Sequence, residues 1–424
     1  MPRAPLTSPQ LDRSSDVDAV ESGRFRDEVR QFISGLQPAD SPPIGSLDDE
    51  DYRQFRTQLR AALAERGWIA PLFPTSFGGA GLGPAEQIVL VEELGTAGIP
   101  FGSDNDAFGI GMLGNTMLRY CSEDLLMRFL PRIVSGEYVF AQGFSEPNAG
   151  SDLAAVALRA TLHDDQWVLN GQKLWSSGAH RANWMFVLAR TNSAAPPHRG
   201  LTMLLVPLHQ QGVTVRPIMN LTGDEDFNEV FFDAATTDAD LVVGDIDDGW
   251  AVAMTLLGFE RGETAMYLPI RFRNELDRLI DMVRARHLTE DSDIARRLAA
   301  CYVRVEMLRC YGQRLIHQLA SGRELGAEAA PFKLLWSEYH KVVTELGVDV
   351  LGLEALAPTG RRSPNWYQTD DPGAPNSSAS WTSVYLNAFA GTIYGGSSQI
   401  QRSIVGELIL GLPKEPKPAK SARQ

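Results

Sequence analysis

Glu260 has the setting in this chain that most invites chemistry. It stands in segment 250–266, WAVAMTLLGFERGETAM, where helical spacing sets it on one face with Ala253, Leu256, Leu257 and Thr264. A carboxylate in an apolar stripe loses hydration on burial, which disfavours its charge and raises its pKa. Such a group is a candidate general base, with Glu263 a weaker competitor. The plainer reading, a helix-surface glutamate pairing with a neighbouring arginine, stays open. Two further stretches gather small and hydroxylated residues. FAQGFSEPNAGSDLAAV carries Gln142, Ser145 and Ser151, and residues of this kind let a backbone approach a ligand closely. A Gly/Pro turn between a helix and a strand would look the same. GTIYGGSSQIQRSIVGELILGLP carries Tyr394, Gly395, Gly396, Ser397 and Gln399.

Composition narrows the classes available. The 424 residues are enough for two or three domains, with 44% hydrophobic and 22% charged residues, as in an ordinary soluble globular protein. A net charge of −14 argues against a nucleic-acid partner, because no basic face offsets phosphate repulsion. Three cysteines, Cys121, Cys301 and Cys310, lack CxxC spacing, and the seven histidines form no HxxxH or HExxH pair. The expectation is a reduced, cytoplasmic protein without a metal centre. The N-terminus has no apolar targeting region, and no run of about 18 apolar residues predicts a membrane span.

The elements that must position these residues fall into three zones. From Val17 to Glu137 the pattern is helical: Val29, Phe32, Ile33 and Leu36 recur at helical spacing, as do Leu59, Ala62 and Leu63 before Gly67. From Phe140 to about Gly244, short apolar runs between turns predict strands, with Asn170-Gly171 read as a hairpin turn. Helices are then expected over 250–266, 294–320, 333–351 and 382–408, with Leu298, Cys301, Val305, Leu308, Leu315 and Leu319 on one face. The fold class is therefore α+β multidomain: an N-terminal helical domain (17–139), a central small β-barrel (140–245) and a C-terminal four-helix bundle (246–413). Residues 1–16, the polar loop 359–380 and the tail 414–424 have too few apolar groups to offset their ordering entropy and read as mobile.

Taken together, SEPNAGSDLA, NGQKLWSS, FNEVFFDAATTDADLVVG, the FERG helix, KLLWSEYH and IYGGSSQIQR resemble the acyl-CoA dehydrogenase family over residues 20–413. These flavoenzymes desaturate CoA thioesters between the α and β carbons. The resemblance implies FAD, bonded by Ser145 at the ring edge and Ser151 at the pyrophosphate, with Glu146 and Asp152 bracing the loop. It places Trp175 beside the ring and the Ser177 hydroxyl near N5, where a donor favours reduction. Gln142, Ser397 and Gln399 complete the expected cofactor set. Many members carry the catalytic glutamate directly after the tyrosine, whereas Tyr394 here precedes Gly395. A branch that includes isovaleryl-CoA dehydrogenase-like enzymes keeps a small residue there and its base at the position of Glu260. The implied reaction has Glu260 remove the α-proton while the β-hydrogen leaves as hydride to the flavin. The Gly395 N–H and a ribityl hydroxyl would polarise the thioester carbonyl. Ser151, Arg261 and Tyr394 are the expected substrate contacts.

The pattern is most similar to actinobacterial sterol-catabolic enzymes, which implies a bulky, ring-bearing or branched acyl group and an acceptor such as an electron-transfer flavoprotein. CoA phosphates would then be met by local Arg, Lys and helix N-termini. Two family elements that reach a neighbouring subunit's FAD are missing: YLPIRFRNELDRL replaces an Arg-x-x-Phe-Gly segment, and DVLGLEALAPTG replaces a Gly-Gly-x-Gly loop. A hetero-oligomer with a related subunit is the expectation, with a homo-oligomer closed by Arg271 or Arg273 as the alternative. A flavin monooxygenase on the same fold and a non-catalytic partner subunit remain rival readings.

Overall fold

The computed structural model describes residues 14–36, 47, 49–103, 105–320, 323, 325–359 and 378–414. Its first zone holds α1 (Ser14–Leu36), α2 (Asp49–Glu65), α3 (Pro84–Thr96), α4 (Asn115–Tyr120) and α5 (Glu123–Ser135). Val29, Leu59, Leu63, Leu90, Leu113 and Phe129 are buried together, so the stripes read from the sequence do face one core. Proline at its first position and the Glu86 carboxylate, accepting from the Gly83 N–H at 2.8 Å, start α3. Arg26 and Arg30 of α1 pair with Glu92 and Glu93 of α3.

The middle zone forms β1 (Phe140–Gly143), β2 (Arg159–His163), β3 (Gln166–Lys173), β4 (Trp184–Arg190), β5 (Leu201–Pro207), β6 (Val213–Ile218), β7 (Phe227–Asp238) and β8 (Val242–Val243). The strand order is β6-β7-β3-β2-β4-β5-β8, with β1 parallel to β4. Continuous apolar runs make β4 and β5 buried on both faces. The Thr237 hydroxyl on β7 donates to the Leu205 carbonyl on β5 at 2.6 Å, linking strands well separated in that order. The sheet therefore curls on itself, in keeping with the expected small barrel.

Asn170-Gly171 does not form the expected hairpin. Both residues lie inside β3 at a register shift against β7, where Gly171 takes φ 139° and the Asn170 carboxamide oxygen accepts from the Ala234 N–H. A Cβ on Gly171 would stand 3.0 Å from the Leu158 Cα, so the glycine serves close approach rather than reversal. Asp164, at φ 49°, stands in the turn that joins β2 to β3.

The third zone is a bundle of α6 (Gly249–Ala285), α7 (Ser292–Ala320), α8 (Ala329–Leu351) and α9 (Ser378–Ala388), followed by the short α10 (Ser398–Ile404). Cys301, Val305, Leu308 and Leu315 are buried and Leu298 packs against them; the Leu319 side chain lies outside the described residues. Helix α6 runs well past the expected end at 266, straight through Pro269. Proline removes one donor and displaces the carbonyl four residues back, that of Ala265. Gly312 of α7 faces that carbonyl, and an added Cβ there would sit 2.8 Å from it and 3.1 Å from the Pro269 ring. The neighbouring helix thus makes room for the irregularity. The expected helix over 382–408 is instead broken between Ala388 and Ser398, because Gly395 and Gly396 adopt positive φ and Ser397 caps a new start. The mobile segments expected at 1–16, 359–380 and 414–424 lie mostly outside the described residues, although α1 begins at Ser14 and α9 at Ser378.

Gly347 of α8 lies against the buried Trp381 of α9, and a Cβ there would approach the indole to 2.2 Å. Gly347→Ala is expected to destabilise the bundle by about 1–3 kcal/mol through overpacking, visible as a lower thermal midpoint.

Candidate active site

Gly395, in the connection between α9 and α10, lies close to Glu260 of α6. Gly395 has φ +61°, and a Cβ built on it would lie 4.0 Å from Glu260 Oε1 and 3.8 Å from Lys333 Cε. The Glu260 carboxylate thus stands within contact distance of a side chain built at 395. The Gln401 carboxamide donates to the Gly395 carbonyl at 2.9 Å, fixing the peptide that follows it. Ala253 and Leu256, predicted on the Glu260 face, are fully buried. Glu260 keeps some open surface but is surrounded deeply by protein. Burial pushes its carboxyl above the usual range, against the opposing fields of Arg261 and Lys333.

Lys333 is the member of this site that the sequence reading missed. Its ammonium donates to the Gly391 carbonyl at 2.6 Å and lies 5.6 Å from the ring centres of both Trp336 and Tyr394. Burial lowers its pKa to about 8, although Glu260 and Glu338 both favour its charge. The signal was a lone lysine inside the apolar run AAPFKLLW, where an unpartnered charge would be too costly to hold.

A second set of residues gathers on the barrel. The Leu174 N–H donates to the Ser145 carbonyl at 2.8 Å, which joins the SEPNAGSD loop to the KLWSS strand end. Glu146 braces the loop, as expected, by accepting from the Ala157 and Leu158 N–H groups and from Lys173. Lys173 is completely buried, and its three donors reach Glu146 and the carbonyls of Phe144 and Leu188. Burial pulls its pKa down to about 8. Arg190 adds a bond from its guanidinium to the Ala154 carbonyl at 2.7 Å.

Trp175 is no core residue. It is 57% exposed, lies beyond the end of β3 and packs its edge against Phe227 at 5.9 Å. Its φ of 60° is costly for a bulky side chain, and such outliers cluster at ligand clamps. The adjacent Ser176 hydroxyl is buried without a hydrogen-bond partner. Ser145, Ser177 and Gln142 are half-buried, whereas Ser151 and Gln399 are exposed. Ser397 caps α10, its oxygen accepting from the Ile400 N–H. Arg261 follows Glu260 on α6 and is half-buried. The barrel set and the Glu260 set stand on different domains, related through the packing of α6 on β5.

This architecture, a helical domain, a curled sheet and a helical bundle, is that of an oxidoreductase family, and the chain belongs to it: the acyl-CoA dehydrogenases. The N-terminal, middle and C-terminal domain models of that family match residues 21–137, 141–235 and 247–410. Acyl-CoA dehydrogenase IpdE1 of Mycobacterium tuberculosis is 41% identical over 403 residues, covering 93% of this chain and 98% of that protein. Among solved structures, the Tcur3481-Tcur3483 steroid acyl-CoA dehydrogenase superposes with a TM-score of 0.77 at 27% identity, over 93% of this chain and 98% of that one. The ChsE4-ChsE5 complex from Mycobacterium tuberculosis shares the fold, with a TM-score of 0.75 at 24% identity over 93% and 98% of the two chains. Membership implies a flavin cofactor. No helix among the described residues is long and apolar enough to cross a membrane.

Removing Glu146 would leave the Lys173 ammonium uncompensated in the barrel. Glu146→Ala is therefore expected to cost about 3–5 kcal/mol, whereas an exposed pair such as Arg284–Asp281 would cost under about 1 kcal/mol when broken. Thermal denaturation of the two variants side by side checks the contrast.

Proposed function

We propose that this chain carries out FAD-dependent α,β-dehydrogenation of an acyl-CoA thioester, with Glu260 as the general base. The observation that carries this reading is the Glu260 oxygen 4.0 Å from the Cβ position of a side-chain-free Gly395. A carboxylate delivered from α6 there reaches the space that a glutamate at 395 would otherwise fill. Glu260 takes the α-proton, and its raised pKa strengthens it as a base while the field of Arg261 favours its ionised form. The Gly395 N–H donates to the thioester carbonyl and stabilises the enolate-like charge that develops. Arg261 and Tyr394 orient the substrate, with Ser151 on the barrel side. Holding both reacting C–H bonds in place at once supplies much of the rate.

The barrel residues fit a planar, hydrogen-bonding ring: an exposed indole held at positive φ, a half-buried Ser177 hydroxyl beside it and a buried Ser176 hydroxyl in want of a partner. Gln142, Ser145, Ser151, Trp175, Ser177, Ser397 and Gln399 would hold the FAD, and Ser397 still has its hydroxyl proton to donate. When bound, the flavin supplies the acceptor for the β-hydride.

The acyl group we assign is bulky, ring-bearing or branched; the steroid designation of a structural relative supports this. Reducing equivalents pass to an acceptor such as an electron-transfer flavoprotein, in the cytoplasm. The assembly we assign is a hetero-oligomer with a related subunit. Arg273, the candidate substitute for the missing arginine, is engaged by Asp277 and Glu306 and lies over Tyr302 in its own bundle, while Arg271 lies over Tyr267. The paired names of both structural relatives point the same way.

Glu260→Gln keeps the shape but not the proton acceptor, so anaerobic flavin bleaching by a panel of CoA esters, from isovaleryl-CoA to ring-bearing esters, should slow by about two to four orders of magnitude. FAD content should hardly change. Bleaching at the wild-type rate in Glu260→Gln, with the loss appearing in Glu263→Gln, overturns the assignment; dependence on NADH-reduced flavin and oxygen would indicate a monooxygenase instead.

Assembly is tested separately. The chain expressed alone should bind less than one FAD per subunit or be poorly soluble, and co-expression with a related subunit should restore both. A lone chain that purifies as a fully active tetramer with one FAD per subunit defeats the hetero-oligomer.

A further inference from the structure

Resting on the reading of Glu260 as the base, we infer that Lys333 is its positioning countercharge: an ammonium from α8, tied to the Gly391 carbonyl, that favours the ionised carboxylate and holds the segment carrying Gly395 against it. Two observations join here. Lys333 Cε and Glu260 Oε1 flank the same point, 3.8 and 4.0 Å from the Cβ position of Gly395. The ammonium is also fixed by its 2.6 Å bond to Gly391, four residues before Gly395 on the connection between α9 and α10. One side chain therefore sets both the charge facing the base and the backbone facing the substrate.

The other charges around the pair do not duplicate this placement. Arg261 follows Glu260 on the same helix and also favours its ionised form. Arg119 of α4 lies over the Phe259 ring, one residue before the base. From α8, Glu338 faces Lys333 and is itself bonded to Lys341, Ser398 and Arg402. Tyr394 presents its ring to the ammonium rather than a charge. Among the described residues, Lys333 is the cation that acts on Glu260 from another helix, beside Gly395.

The sign follows from the charges. A carboxylate raised by burial works as a base only above its pKa, so the rate of proton abstraction rises with pH through that value. A facing positive charge lowers the value and extends the active range toward acid; its removal lets the value climb.

The test uses the holoenzyme and its pH profile. Flavin reduction by the fastest ester of the CoA panel is followed from acid to neutral pH in wild type, Lys333→Gln and Lys333→Arg. Lys333→Gln retains a donor for Gly391 without the charge and should move the acid limb up by about one pH unit, roughly tenfold slower reduction below it. Lys333→Arg should return the limb toward wild type. A second readout needs no substrate: isotope-edited infrared titration of 13C-glutamate protein, with Glu260→Gln identifying the band, should show the same displacement of the Glu260 carboxyl. Should Lys333→Gln fold poorly, the comparison of Lys333→Arg with wild type in both measurements carries the test. A charge-preserving arginine that shifts the carboxyl as far as one unit overturns the inference, as does Lys333→Gln with an unmoved limb or a loss equal at every pH. If Glu260→Gln itself reduces flavin normally, the base assignment has failed; if it is inactive while Lys333→Gln titrates as wild type, only the countercharge has.

Discussion

A carboxylate inside a helical bundle needs space for its two oxygens and an opposing charge, and the C-terminal domain is arranged around meeting both needs at one point. Gly395 brings no side chain to within contact of the carboxylate, and Arg261 and Lys333 supply the charge. The rest follows from holding these groups in register. The Gln401 carboxamide secures the Gly395 carbonyl, Lys333 secures that of Gly391, and Ser397 restarts the helix immediately beyond. Moving any of these backbone groups would change the distance between Glu260 and the peptide that faces it.

The barrel solves a related problem with a different partition of charge. Its loop from Ser145 to Asp152 has few apolar side chains with which to pack, so it is held by polar bonds to a single buried lysine and the glutamate beside it. Saturating all three ammonium donors of Lys173 makes that burial tolerable. The bundle lysine, Lys333, has fewer partners, one carbonyl and two aromatic faces, and burial lowers the pKa of both ammonium groups alike, to about 8.

Much of this was legible in the sequence because it depends on local pattern. The stripe containing Val29, Phe32 and Leu36, the strand runs of β4 and β5, and the placement of Glu260 beside Ala253 and Leu256 follow from periodicity alone. What was not legible depends on partners remote in the chain. Asn170-Gly171 has the composition of a turn, but contact with Leu158 and β7 makes it a bulge. Pro269 looks like the end of a helix until Gly312 of α7 is seen to accommodate it. Lys333 was visible as a lysine in an apolar run, yet its relation to Glu260 exists only after α6 and α8 have packed.

The left-handed backbone at Gly395 ties positions 260 and 395 together as alternatives. A glutamate introduced at 395 while Glu260 remains would bring two carboxyl groups into one small space, where like charges favour sharing a proton over both ionising. It would also carry the conformational cost of a non-glycine residue at φ +61°. Removing Glu260 first takes away the carboxylate beside Gly395. Relocating the proton acceptor that we propose is therefore a valley crossing: neither single substitution yields the working arrangement, and a compensating change in the 389–397 backbone would have to accompany the exchange.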